Sequence, residues 1–279
     1  MAASLRSREI VHNVRREIFK DRVLGRAAEL AFFLIMALFP LLIFLLTLLT
    51  FFPGSRDLAI QYLARVVPDE AMGLINRWVT ELFRSRSGAV LSFGLLFSVW
   101  SASTGMSALM DILNTAYEVK EARSFIKEKG TAIILTIALT LLAVAGITLV
   151  IYGKPLIEWF LKRMTVESSA MLSLITPIGG VALLYLSLAL IYNFGPNVNR
   201  KANRAWPGSI FAVIGILLAS YLFSLYLKFG PSYNATYGSL GAVVVLMLWL
   251  YLVGLVIMVG AELNCELMKS DDNVPTTSG

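Results

Sequence analysis

Two acidic residues, Asp111 and Glu262, stand where long apolar runs end. A carboxylate at the edge of hydrocarbon needs water or a cation beside it, so each marks a place where the chain does more than fill lipid. Asp111 belongs to a series, Trp100, Thr104, Ser107, Asp111, Asn114 and Glu118, whose spacings alternate between four and three and so fall on one helical face. Such a stripe is either interhelical hydrogen-bonding glue or the wall of a water-filled cavity open to the cytoplasm, and both readings stand at this point. Arg123 is the candidate charge partner of Asp111, provided the chain folds back after Tyr117. Glu262 shares a face with Tyr251, eleven residues earlier, and Asn264 follows just beyond. Snorkelling or capping fits Glu262 as well as a binding role does. Asp111 and Glu262 as an acid/base pair is the enzymatic option, but no nucleophile or metal set accompanies them, so no catalytic residue is assigned and no enzyme is expected.

One cysteine, Cys265, and one histidine, His12, exclude a disulfide framework and a Cys/His metal site built from this chain alone. No cofactor is expected. Without a Gly-rich Lys-Ser/Thr phosphate loop, energy for any transport comes from a gradient, a partner protein or the substrate's own gradient.

The elements that position these residues are membrane helices. Hydrophobic residues make up 57% of the chain and charged residues 15%, against roughly 45–50% and about 25% in soluble domains. The expected fold is all-α and polytopic, with six transmembrane helices over Leu30–Phe52, Gly88–Met110, Thr131–Gly153, Met171–Asn193, Ser209–Leu227 and Gly238–Gly260. The apolar runs do not alternate as barrel strands do. In the second span Gly94, Ser98, Ser101, Gly105 and Ala108 form a strip of small side chains suited to close helix packing. Pro40 in the first span and Pro177 in the fourth, the latter near Gly179 and Gly180, are expected to kink their helices.

Fifteen of the 24 Lys and Arg fall on one side of this layout, which puts both termini in the cytoplasm. Residues 1–269 then form a single transmembrane domain, with 270–279 a polar tail. Residues 1–29 are an amphipathic segment: Ile10, Val11, Val14 and Ile18 oppose Arg8, His12, Arg15 and Arg16. That helix lies on an anionic leaflet or packs on the bundle's own loops. The segment 53–87 carries Met72, Ile75, Val79 and Leu82 at helical spacing and is expected to be an outer interfacial helix. No cleaved signal peptide is expected.

Several stretches resemble the YihY/BrkB family of bacterial inner-membrane proteins. They are Ala37-Leu38-Phe39-Pro40, the segment from Val99-Trp100-Ser101 through Asn114, Tyr117 and Glu121 to Arg123-Ser124-Phe125, and Pro207-Gly208. The closing segment adds Tyr237-Gly238-Ser239-Leu240-Gly241, Trp249-Leu250-Tyr251 and Gly260-Ala261-Glu262-Leu263-Asn264. The resemblance runs from about Arg15 to Glu266 and implies six spans with cytoplasmic termini. It implies no settled activity: members have been linked to serum resistance and to lipid handling, and an old label calls the family a tRNA-processing ribonuclease. A zinc-dependent ribonuclease needs several His and acidic ligands, which a lone His12 does not supply.

The function expected is movement of a lipid or amphipathic solute across or within the inner membrane through a cytoplasm-facing cavity lined by Trp100, Thr104, Ser107, Asp111, Asn114, Tyr251, Glu262 and Asn264. The alternative is a non-transporting scaffold for envelope assembly. Expected partners are membrane lipids, an unidentified lipid or small-molecule substrate and, as one option, further copies of this chain. Nucleic acid is not expected, because the basic face lacks interleaved aromatic residues.

Overall fold

The computed structural model describes residues 13–14, 16–49, 88–163, 169–198, 205–229 and 241–272. Every regular element among them is an α-helix. In chain order these are α1 (Val23–Leu49), α2 (Gly88–Ala116), α3 (Phe125–Arg163), α4 (Ser169–Phe194), α5 (Ala205–Phe229) and α6 (Gly241–Asp272). A short helical segment, residues 16–20, precedes α1. The expected interfacial helix at 53–87, His12 and the tail beyond residue 272 lie outside the described residues.

Four helical stretches are long and apolar enough to cross a membrane: Phe125–Gly146, Thr176–Phe194, Ala205–Phe229 and Gly241–Lys269. Helices α1 and α2 overlap the first two expected spans, α1 running from Val23 to Leu49 and α2 ending later, at Ala116; residues 50–52 of the first span lie outside the described residues. Helix α6 also runs past its expected end at Gly260, because nothing between Gly260 and Asp272 breaks a helix. Glu262 and Asn264 therefore sit inside a helix rather than beyond one.

Polar side chains within the apolar helices are satisfied locally. The hydroxyls of Thr131, Thr136, Thr140 and Thr148 in α3 donate to carbonyls four residues earlier at 2.7–2.8 Å. This back-bonding hides each hydroxyl from lipid. Pro177 lies within α4, which continues through it. Two residues on, a Cβ at Gly179 would lie 2.5 Å from Leu149 Cδ2, so this glycine lets α4 close on α3. Helix α1 likewise continues through Pro40, whose side chain is outside the description.

Two compact units make up the chain: residues 33–105, and residues 1–32 with 106–279. In the first, Gly105 faces α1, where an added Cβ would meet Ala37 Cβ at 3.2 Å and the Phe33 carbonyl oxygen at 3.5 Å. That is the close helix approach expected of the small-residue strip. The side chains of its members Gly94 and Ser98 lie outside the description.

In the second unit α3 packs on α4, α4 on α5, and α5 on α6. Its most buried side chains gather toward one end, around Val23, Leu30, Met110, Ile112, Leu113, Tyr192, Met258, Glu262, Asn264 and Cys265. Polar residues are part of that core, a sign that hydrogen bonding joins apolar packing in fixing it.

Candidate functional site

The polar end of the second unit is assembled from five places in the sequence: residues 16–21, the end of α2, the end of α4, the start of α5 and the last third of α6. Two clamps hold it. At the start of α5 the first backbone N–H groups have no intrahelical acceptor, and Pro207 has no N–H at all. Gly208 donates its N–H to Asn264 Oδ1 at 2.7 Å, while Asn264 Nδ2 donates to the Ala205 carbonyl at 3.3 Å. This cap works across two helices only because their backbones nearly touch. A Cβ at Gly208 would collide with the Gly260 carbonyl oxygen, and one at Gly260 would lie 2.5 Å from the Tyr192 hydroxyl. Tyr192 in turn donates to the Ile257 carbonyl at 2.7 Å, tying α4 to α6.

The second clamp closes the end of α4. Arg123 donates to the Gly195 carbonyl at 2.9 Å and the Phe194 carbonyl at 3.5 Å, placing a cation at the negative end of the helix dipole. Glu121 holds Arg123 in a fork of 2.7 and 2.5 Å and accepts from Asn114 Nδ2 at 2.9 Å. The Arg123 guanidinium holds the Glu121 carboxyl down to about 2. Asn114 Oδ1 accepts the backbone N–H of Asn197 at 2.7 Å. Asn114 thus ties the end of α2 to the segments that follow α2 and α4.

The expected Asp111–Arg123 pair does not form. The fork from Glu121, two residues away in sequence, claims Arg123, while the Asp111 side chain is 68% exposed and meets Arg26 at 3.7 Å. Arg26 also bonds Glu29 at 3.2 Å. Of the remaining stripe, Trp100 and Thr104 are exposed, Ser107 is half-buried and Glu118 is partly exposed. The stripe is therefore divided: Asn114 and the Ser107 hydroxyl are buried, while Trp100, Thr104, Asp111 and Glu118 are exposed. Tyr251 is half-buried, whereas Glu262 and Asn264 are each 1% exposed.

Sequence reasoning missed an ionic chain that ties the N-terminal segment to α2 and α6. Arg16 and Lys20 bond Glu17 at 3.2 and 2.8 Å; Lys20 continues to Glu118 at 2.6 Å. Glu118 accepts from Lys269 at 3.0 Å, and Lys269 reaches Glu266 at 3.2 Å. Lys20 and then Lys269 hold the Glu118 carboxyl below its ordinary range, and Lys20 does the same for Glu17. Glu17 is only 3% exposed, so this part of the segment is packed; Arg8, Ile10, Val11, His12 and Arg15 of the amphipathic pattern lie outside the described residues. The available signal was Glu17 itself, an acid close to the apolar stripe of that helix.

Glu118 occupies an unusual backbone position. Its φ is 52°, and the bonds Val119 N–H to Asn114 carbonyl and Glu118 N–H to Thr115 carbonyl, both 2.9 Å, form the helix-ending motif that ordinarily takes glycine. Arg22, with φ 51°, makes the corresponding break between residues 16–20 and α1.

The sequence pattern of the family described as Virulence factor BrkB matches residues 14–278. The chain belongs to the BrkB family. This BrkB-family chain is 38% identical over 248 residues to the "Putative ribonuclease-like protein YfkH" of Bacillus subtilis, covering 88% of the chain and 90% of that relative. It is 25% identical over 278 residues to a "UPF0761 membrane protein" of Tolumonas auensis, covering 94% and 86%. Against the "UPF0761 membrane protein" of Laribacter hongkongensis, identity is 25% and the chain spans 60% of the relative's length. No solved structure matches this BrkB-family chain. Family and apolar helices together identify a membrane protein, and the clamps and ionic chain lie within the matched region.

Proposed function

We propose that this BrkB-family protein crosses the bacterial inner membrane six times, with both termini cytoplasmic, and moves a lipid or amphipathic solute across or within that membrane. One observation carries the reading: Asp111, near the end of a mostly apolar helix, keeps a 68% exposed side chain whose ion-pair contact is a long 3.7 Å one. An outward carboxylate at that depth suits water, a headgroup or a polar solute better than acyl chains. Outward Trp100 and Thr104 on the same helix extend a mixed apolar and polar track.

We read the role as non-enzymatic, since no nucleophile or metal set accompanies Asp111 and Glu262 in the sequence; the ribonuclease-like wording is part of the Bacillus relative's name. A labelling experiment tests the track: with Cys265 replaced, single cysteines at Thr104, Ser107 and Asp111 should react with a membrane-impermeant thiol reagent from the cytoplasmic side. Protection of all three points instead to the scaffold alternative, in which this face is covered by packing.

A further inference from the structure

Beneath the ionic chain the carboxyl groups of Asp21 and Glu262 face each other within hydrogen-bonding reach, one from the turn before α1 and the other from α6. Glu262 is 1% exposed. Its Oε1 and the Oδ2 of Asp21 are buried, and neither has a hydrogen-bond donor among the described residues. As two carboxylates the pair offers only acceptors and repels itself; a single proton between them converts that repulsion into an O–H···O bond.

Among the described residues the charged surroundings supply no substitute cation. The described charged groups acting on the pair are Glu17 and Lys20 from the N-terminal segment, Glu118 from the turn after α2, and Lys269 from α6. Lys20 spends its contacts on Glu17 at 2.8 Å and Glu118 at 2.6 Å, and Lys269 on Glu118 at 3.0 Å and Glu266 at 3.2 Å. Both lysines are thus held by other carboxylates.

We infer that Asp21 and Glu262 together form a proton-binding site, holding one proton between their carboxyls at neutral pH and thereby coupling the docking of the N-terminal segment on α6 to protonation. Burial independently pushes the Asp21 carboxyl above its ordinary range. The two carboxyls titrate as a unit, so the proton belongs to the pair rather than to either residue. The sign follows: protonation favours the docked segment, and alkaline pH, by leaving two facing carboxylates, favours its release. This site stands whether or not the protein transports a solute.

Infrared difference spectroscopy on the full chain in lipid nanodiscs reads the bound proton through the C=O stretch of a protonated carboxyl. In sodium-free choline buffer at neutral pH the wild-type protein should show that band and lose it on alkaline titration. Glu262→Gln should abolish it, and Asp21→Asn, placed in a half-exposed turn where misfolding is less of a hazard, should shift or abolish it. Absence of the band in the wild type at neutral pH, or an unaltered band in Asp21→Asn, overturns the inference. Loss of the band on adding sodium at constant pH also overturns it, in favour of a metal cation between the carboxylates.

Discussion

The backbone N–H of Gly208 points at Oδ1 of Asn264 from 2.7 Å, so a side chain of α6 caps the first turn of α5. Asn264→Ala leaves that buried donor without its side-chain acceptor, while the Ala205 carbonyl keeps the Ser209 hydroxyl at 2.7 Å. Interhelical hydrogen bonds in membranes average only about 0.6 kcal/mol, but orphaning a buried group costs roughly 1–3 kcal/mol, and the second effect governs here. The thermal midpoint of Asn264→Ala in detergent should therefore fall by several degrees. An unchanged midpoint would mean that water replaces the cap.

Glu118 opposes backbone preference to side-chain bonding. A non-glycine residue in the left-handed region costs roughly 1–2 kcal/mol, whereas partly exposed ion pairs are worth about 0–1 kcal/mol each. Glu118→Gly relieves the first while cutting both lysine links, and Glu118→Gln cuts the links without relief. Glycine should accordingly be the more stable of the two variants by about 1 kcal/mol, read as the difference in their thermal midpoints. If the glutamine variant is the more stable, φ at this position carries no strain that glycine relieves.

Glu121 predicts an acid limb. Its carboxyl is held at about 2 by Arg123, against an ordinary 4.5, so its stabilising contribution is complete above 4.5 and is lost as pH falls through about 2. The midpoint gap between wild type and Glu121→Gln should be widest near neutral pH and shrink across that window. A gap that stays constant down to the acid end would contradict the Glu121–Arg123 fork.

How much of this was readable beforehand depends on the range of the interaction concerned. Apolar run length was enough to place the four described stretches that are long and apolar enough to cross a membrane, because such a helix satisfies its own backbone and needs no distant partner. The approach of Gly105 to Ala37 followed from the four-and-three spacing of small residues. Partners across the fold were not legible. Arg123 was matched to Asp111 on the chain folding back after Tyr117, but the turn from Glu118 to Ser124 brings Glu121 onto it first. Asn264 and Glu262 were singled out as neighbours in sequence, yet their jobs differ because successive side chains on a helix face different partners, Gly208 in one case and Asp21 in the other. Glu17 was not selected at all: its role depends on Lys20 meeting Glu118, ninety-eight residues away.

Asp111 decides the functional reading, since its exposed side chain contributes little to stability: the long Arg26 contact is worth about 0–1 kcal/mol at most. The direct measurement is flux of fluorescent zwitterionic and anionic lipids, and of small amphipathic solutes, in proteoliposomes holding wild type or Asp111→Asn, alongside their thermal midpoints. Transport by a track that uses this carboxylate predicts wild-type flux above protein-free vesicles for at least one of these probes, and a several-fold slower rate in Asp111→Asn with an unchanged midpoint. Wild-type flux no faster than protein-free vesicles for every probe, with and without an ion gradient, would contradict it.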